Sequence, residues 1–231
     1  MKYQYAPLAL GLTLSLVTAC GKNGGGGGGS SSQEQQETRL ERNQKTEGSY
    51  RAILRPINTS LSGYLPTGVA EITITGDQLR AMTLLDDDAK VSHLQNIQLG
   101  TKCPTEKSDT NGDGMVDINE AYKVSGQPLI PLDNQLESQS AGGIFPMGSG
   151  FTYTQTASVK NLMADLTSGA AVPGLAKLRA GDTLNLAGRV ILIHGTASNT
   201  STPIPATVAT VNSMEQNLSL PIACGVIVRE K

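Results

Sequence analysis

Between Asp109 and Glu120, six residues stand at a spacing that could hold a metal ion. Side-chain oxygens fall at Asp109, Asn111, Asp113, Asp117 and Glu120, which are loop positions one, three, five, nine and twelve. Met115, at position seven, would add its backbone carbonyl. Every donor is an oxygen. Such a set suits a hard cation that takes six to eight oxygens, which points to calcium. Glu120 can close the ring as a bidentate ligand. Gly114 stands at position six, where the chain must turn sharply and a Cβ would be in the way. Val116, at position eight, is a β-branched residue that would pin the loop to a neighbour. A turn rich in Asp, Asn and Gly needs no metal, because these residues favour turns anyway. The cation is favoured by the agreement of so many constrained positions within residues 109–120.

The stretch resembles the EF-hand calcium loop, and its flanks depart from that family. A full hand has an amphipathic helix on each side. The entry here, residues 100–108, is short and interrupted by Pro104. The exit from Ile118 can make two helical turns before Gly126 and Pro128 stop it. These signals predict a lone loop with a short exit helix, inserted in another fold. Without a second hand to cooperate with, it suits structural calcium at extracellular levels, with an affinity of ~10⁻⁴ M or somewhat tighter.

The N-terminus predicts where such calcium is met. Lys2 precedes an apolar run over residues 6–17, too short for an ordinary membrane span. Leu16-Val17-Thr18-Ala19-Cys20 follows and resembles a bacterial lipobox. The resemblance implies that residues 1–19 are a lipoprotein signal peptide and that Cys20 carries the lipid. Residues 20–48 then read as a tether: glycines 24–29, serines 30–32 and a polar run that can bury no core. The expected location is the bacterial cell envelope, with the membrane reached through the lipid. Gly21, not Asp, follows the cysteine, which favours the outer membrane if the host is Gram-negative.

Two cysteines remain, Cys103 and Cys224. In an oxidising compartment such a pair usually forms a disulfide, the alternative being two buried thiols. The bridge would tie the start of the calcium loop to the end of the domain.

Residues 49–231 are enough for one domain with a full core. The formal net charge of −2 suggests neither nucleic acid nor an acidic membrane surface as a partner. With no Trp and two Phe, the aromatic platforms of base- and carbohydrate-binding surfaces are scarce. The pattern is mainly β. Alternation over residues 69–75 stops at Gly76-Asp77, a hairpin signal, and residues 78–85 return. Further strands are expected over 50–57, around Ile97 and Leu99, over 151–156, from Leu184 into a strongly apolar 189–194, and over 219–228. Residues 159–165 suit a short helix or turn, and 142–150 a glycine-rich surface loop. Many short strands with turn signals predict an antiparallel β-sandwich or Greek-key barrel.

Residues 93–100 with Cys103-Pro104, then 190–195 and 220–225, resemble the CHRD-like bacterial domains, which are similar to copper–zinc superoxide dismutase in strand pattern. The likeness spans roughly residues 50–230. It implies a β-domain with a His-rich motif, and here the chain departs. Asn96 and Gln98 stand where histidine is expected, and only His93 and His194 occur. Two imidazoles cannot build a dismutase centre. They could hold one copper or zinc ion with carboxylates, or serve as hydrogen-bonded strand residues. No Gly-x-Ser-x-Gly elbow, His-Glu-x-x-His helix or Cys–His pair at useful spacing is present, so no catalytic constellation supports a hydrolase. The acidic run 86–88 reads as a solvated turn or an extension of a cation site. The leading expectation is a calcium-binding, lipid-anchored envelope protein with a structural or binding role and no enzymatic activity. A transition-metal carrier using His93 and His194 is the alternative.

Overall fold

The computed structural model describes residues 46–60, 65–139, 143–198, 200 and 202–231. The expected signal peptide, the expected lipidation site Cys20 and nearly all of the expected tether lie outside them, as does Gly142. Among the described residues no helix is long and apolar enough to cross a membrane.

Alternating side chains build the first hairpins. β1 (Gly48–Pro56) points Tyr50, Ala52 and Leu54 inward. β2 (Thr67–Thr75) does the same with Ala70, Ile72 and Ile74, and β3 (Gln78–Asp86) with Leu79, Ala81, Thr83 and Leu85. The β2–β3 register runs from Thr67↔Asp86 to Thr75↔Gln78 around the predicted Gly76-Asp77 turn. β4 (Gln95–Gln98), β5 (Pro128–Pro131), β6 (Phe151–Ser158), β7 (Val190–His194), β8 (Pro221–Val226) and β9 (Val228–Arg229) complete the set. All pairings are antiparallel. The order is β5-β4-β7-β8-β1-β2-β3-β6, with β9 beside β1, in one curled half-barrel sheet. The mainly β, antiparallel expectation holds, and one continuous sheet takes the place of two stacked ones.

Two covers close the sheet. Helix α1 (Ile118–Ser125) is the predicted exit helix. It ends at Gly126, whose φ of 75° favours glycine and whose Cα side lies against Gly100. Helix α2 (Val159–Ser168) starts where Ser158 accepts from Asn161 N–H, and Asp77 accepts from Lys160 N–H and the Ser158 hydroxyl. Its Leu162 and Leu166 are buried in the main core, each contributing about 1.5–3 kcal/mol by burial. A short helix, α3 (Gln216–Ser219), leads into β8.

β7 explains how the loop 109–120 is seated. All five residues of Val190–His194 are buried, so both faces are covered. Ile191 and Ile193 join the main core with Leu54, Ile72 and Leu129. Val190 and Leu192 point the other way and pack with Ile57, Val116, Ala121 and Cys224. Val116 and Ala121 come from the loop and α1, so that segment is the second cover of β7.

Two expectations shift. Residues 184–188 carry buried Leu184 and Leu186 but form no strand: 184–186 are irregular and 187–188 turn, with Gly188 at φ 85°. Pro128 stops the helix as predicted, yet it also opens β5, which ends on Pro131. Prolines cannot donate to a ladder, and β5 is accordingly an edge strand.

Candidate metal centre

Chain direction fixes the loop before any ligand does. Cys103 is bonded to Cys224 of β8, with Cα atoms 5.7 Å apart. After Pro104 the entry is a 3₁₀ turn, Glu106–Ser108, where a complete hand has a helix. Asp109 Oδ1 then accepts from Gly112 N–H at 2.7 Å and its Oδ2 from Gly114 N–H at 2.9 Å. Asn111 Oδ1 accepts from Asp113 N–H, and Asp113 Oδ1 from Met115 N–H. These successive side-chain-to-backbone bonds wind the loop into a ring. Gly114 is required by its φ of 88°; a Cβ there would meet no atom within 4 Å, so crowding is not the reason.

The second half of the ring is buried. Asp117 caps α1: its Oδ1 accepts from Glu120 N–H while Glu120 Oε2 accepts from Asp117 N–H. Glu120 Oε1 reaches across the loop to Thr110 N–H at 2.6 Å and Asn111 N–H at 3.1 Å. Position twelve therefore faces the first half of the ring. Asp117 and Glu120 are 4% and 3% exposed. Neither they nor Asp109 and Asp113 form an ion pair with a Lys or Arg among the described residues. Buried carboxylates without a cationic partner are costly, and a bound cation would remove that cost.

The donor types fit calcium: carboxylates, one amide oxygen and a backbone carbonyl in loop order. The loop has no His or Cys, and the thioether of Met115 packs away against Val208 and Leu220, which disfavours softer metals. The carboxylate oxygens are turned to loop N–H groups, and among the described residues no three His, Cys, Asp or Glu side chains converge as a metal cluster. Each carboxylate oxygen has two lone pairs, so a bond to an N–H leaves capacity for an ion.

Three outside residues hold the loop, and the spacing of the sequence revealed none of them. Asn58, with φ 56°, donates from Nδ2 to the carbonyls of Val116 (3.0 Å) and Pro221 (2.9 Å) and accepts Val116 N–H at Oδ1 (2.7 Å). Position eight was expected to be pinned to a neighbour; the neighbour is one carboxamide. Thr207 donates to Asp113 Oδ2 and Ala209 N–H to Asp117 Oδ2. Burial raises the Asp113 carboxyl, but the hydrogen bonds from Thr207, Met115 and Asn111 together hold it below its ordinary value. Met115 packs its side chain against Val208 and Leu220, leaving its carbonyl to the ring.

His93 and His194 meet on neighbouring segments, but through a backbone group. His93 Nδ1 lies 3.1 Å from the carbonyl of His194, and its Nε2 3.2 Å from the carbonyl of Gly148. Asp87 Oδ2 stands 3.5 Å from the same Nε2. Burial raises the Asp87 carboxyl, which His93 partly offsets. Asp87 is thus a buried partner of His93, unlike the solvated turn expected of its run. His194 bonds Ser219 O through Nδ1 at 2.7 Å, leaving Nε2 buried without a partner. No third His, Cys, Asp or Glu completes a metal cluster with these two rings among the described residues.

Burial pushes His194 down to about 4, against the opposing hydrogen bond to Ser219. An unfolded histidine titrates near ~6.5. Between these values the unfolded chain takes a proton that the folded chain refuses. The stability linked to His194 is therefore complete above about pH 6.5 and falls as pH drops towards 4, by roughly 3 kcal/mol in all. His194→Asn keeps a donor for Ser219 and cannot titrate. Denaturation from pH 7 to pH 4 should show a flatter stability profile in that variant; equal slopes would refute the assignment.

No protein-family model matches this chain, and no curated protein matches it. The likeness to CHRD-like domains rests on the residues quoted above.

Proposed function

We propose that residues 109–120 bind one calcium ion and that the chain is a lipid-anchored envelope protein whose β-domain is stabilised by that ion. The observation that carries the reading is the buried pair Asp117 and Glu120, closing a ring of oxygen donors with no cationic side chain among the described residues paired to it. Asp109, Asn111, Asp113, Asp117 and Glu120 would supply side-chain oxygens, and Met115 its carbonyl. The ion supplies charge neutralisation and cross-links the two halves of the loop. The protein supplies position: Asn58 and the disulfide fix the loop on β7 and β8, and α1 turns Glu120 inward. The role is structural or that of a binding module at the cell surface. Cys20 is the proposed point of lipid attachment.

With a dissociation constant of ~10⁻⁴ M, about 2 mM free calcium should stabilise the fold by about 1.8 kcal/mol. Calorimetric titration of the full chain should find one site, and Glu120→Ala should find none. Calorimetric silence in a folded parent protein would reject the reading.

A further inference from the structure

A cleft of about 460 Å³ opens between the β4–β5 edge, helix α1 and the segments 172–175 and 210–214. That volume is in the range of small-molecule sites. Its walls are largely apolar and include Tyr122, Phe145, Leu175 and Met214. Asn96, in the middle of β4, also lines it.

Asn96 is 3% exposed, and its carboxamide makes no hydrogen bond to any described residue. Its neighbours on β4 turn their amide nitrogens to backbone carbonyls. Gln95 points to the other face and donates to the Leu132 carbonyl, while its buried oxygen has no partner among the described residues. Gln98, two residues along the same face, reaches the carbonyls of Gly126 and Gln127 with its amide turned to place nitrogen there. The cleft is where this amide can find a partner, since no described residue supplies one. A carboxamide presents one acceptor and a pair of donor hydrogens together. The group that answers both at once is a second amide.

Charge narrows the class. Among the described residues no Lys, Arg or His lines the cleft, while Asp133 does. Asp133 is 2% exposed, and one oxygen is held by Gln135 N–H. An anionic ligand would meet repulsion and no counter-charge. At the rim, Asn212 stands at φ 46° and its neighbour Ser213 at φ 63°, a left-handed pair of the kind often retained at binding sites.

We propose that this cleft binds an uncharged small molecule bearing a carboxamide on an apolar body, with Asn96 pairing to that carboxamide. The assignment does not rest on calcium, although Ile118 and Tyr122 of α1 serve both places. Benzamide is the probe and benzoate its anionic counterpart of the same shape. In spectra of the ¹⁵N-labelled full chain, benzamide should saturably shift the Asn96 side-chain NH₂ signals, with a dissociation constant of about 1 mM, or roughly −4 kcal/mol. Benzoate should bind at least about tenfold more weakly, a gap of about 1.4 kcal/mol. Asn96→Leu should lose benzamide by a similar factor with no fall in melting temperature, because the amide removed has no partner in the fold. An acetylated tetrapeptide amide tests whether the amide comes on a chain; tighter binding of the peptide than of benzamide overturns the small-molecule assignment. So do equal affinities for benzamide and benzoate, unchanged benzamide binding by Asn96→Leu, or shifts that never saturate.

Discussion

Replacing Cys103 and Cys224 together by alanine should lower the unfolding free energy by about 4–5 kcal/mol. The two residues are 121 positions apart, and the chain between them includes the proposed calcium loop, α1, β5, β6, α2 and β7. Releasing so long a loop returns much entropy to the unfolded state, and this dominates in the chain-entropy account. On the folded side the loss is local. Cys224 packs with Val116, Val190 and Leu192, and Cys103 joins the edge of the same cluster. Asp109 follows Cys103 by six residues, so the entry to the calcium ring loses its tether to β8. Calcium affinity should weaken in the double variant although every oxygen donor remains. Urea denaturation of parent and variant, each in calcium and in chelator, checks both parts. A shift below about 1 kcal/mol in chelator would mean that the bridge adds little to the fold.

What the sequence made legible was local or chemically loud. Alternation over β2 and β3 and the Gly76-Asp77 turn gave the hairpin, because strand period and turn chemistry act within a few residues. The ring 109–120 was legible for the same reason: its donors are spaced by one short loop. The cysteine pair could be inferred from count and from the compartment that the lipobox-like N-terminus leads one to expect. Other features depended on contacts distant in sequence. β5 is bounded by Pro128 and Pro131, which argue against a strand until an edge position makes them harmless. Leu184 and Leu186 look like strand residues because burial in an irregular segment leaves the same apolar mark as burial in a ladder. Asp87 looked solvated because nothing local shows that His93 folds over it. Nothing in Asn96 itself shows that it lines a cleft while Gln95 and Gln98 turn their amide nitrogens to backbone carbonyls.

Asn58 is the clearest of these distant cases and carries the other large expected effect. Asn58→Ala should destabilise the protein by about 3–5 kcal/mol, although it removes no calcium donor. One carboxamide satisfies three backbone groups: Val116 N–H, Val116 C=O and Pro221 C=O. Asn58 is buried at 5% exposure, and Val116 at 1%, so water is poorly placed to replace it. Each backbone group left unpaired costs about 1–3 kcal/mol. Asn58→Asp separates hydrogen bonding from packing. Its carboxylate still accepts Val116 N–H, but it sets an oxygen against two carbonyls and adds negative charge beside the ring. That variant should be at least as unstable as the alanine one despite its near-identical shape. A lone loop has no second hand to meet position eight, and Asn58 fills that place from a different part of the fold. Calcium affinity should therefore fall in both variants, since the ring must be ordered at the expense of binding. Denaturation in chelator measures the first effect and calorimetric titration the second. Parent-like stability in Asn58→Ala would show that the loop is held by its packing on β7 alone.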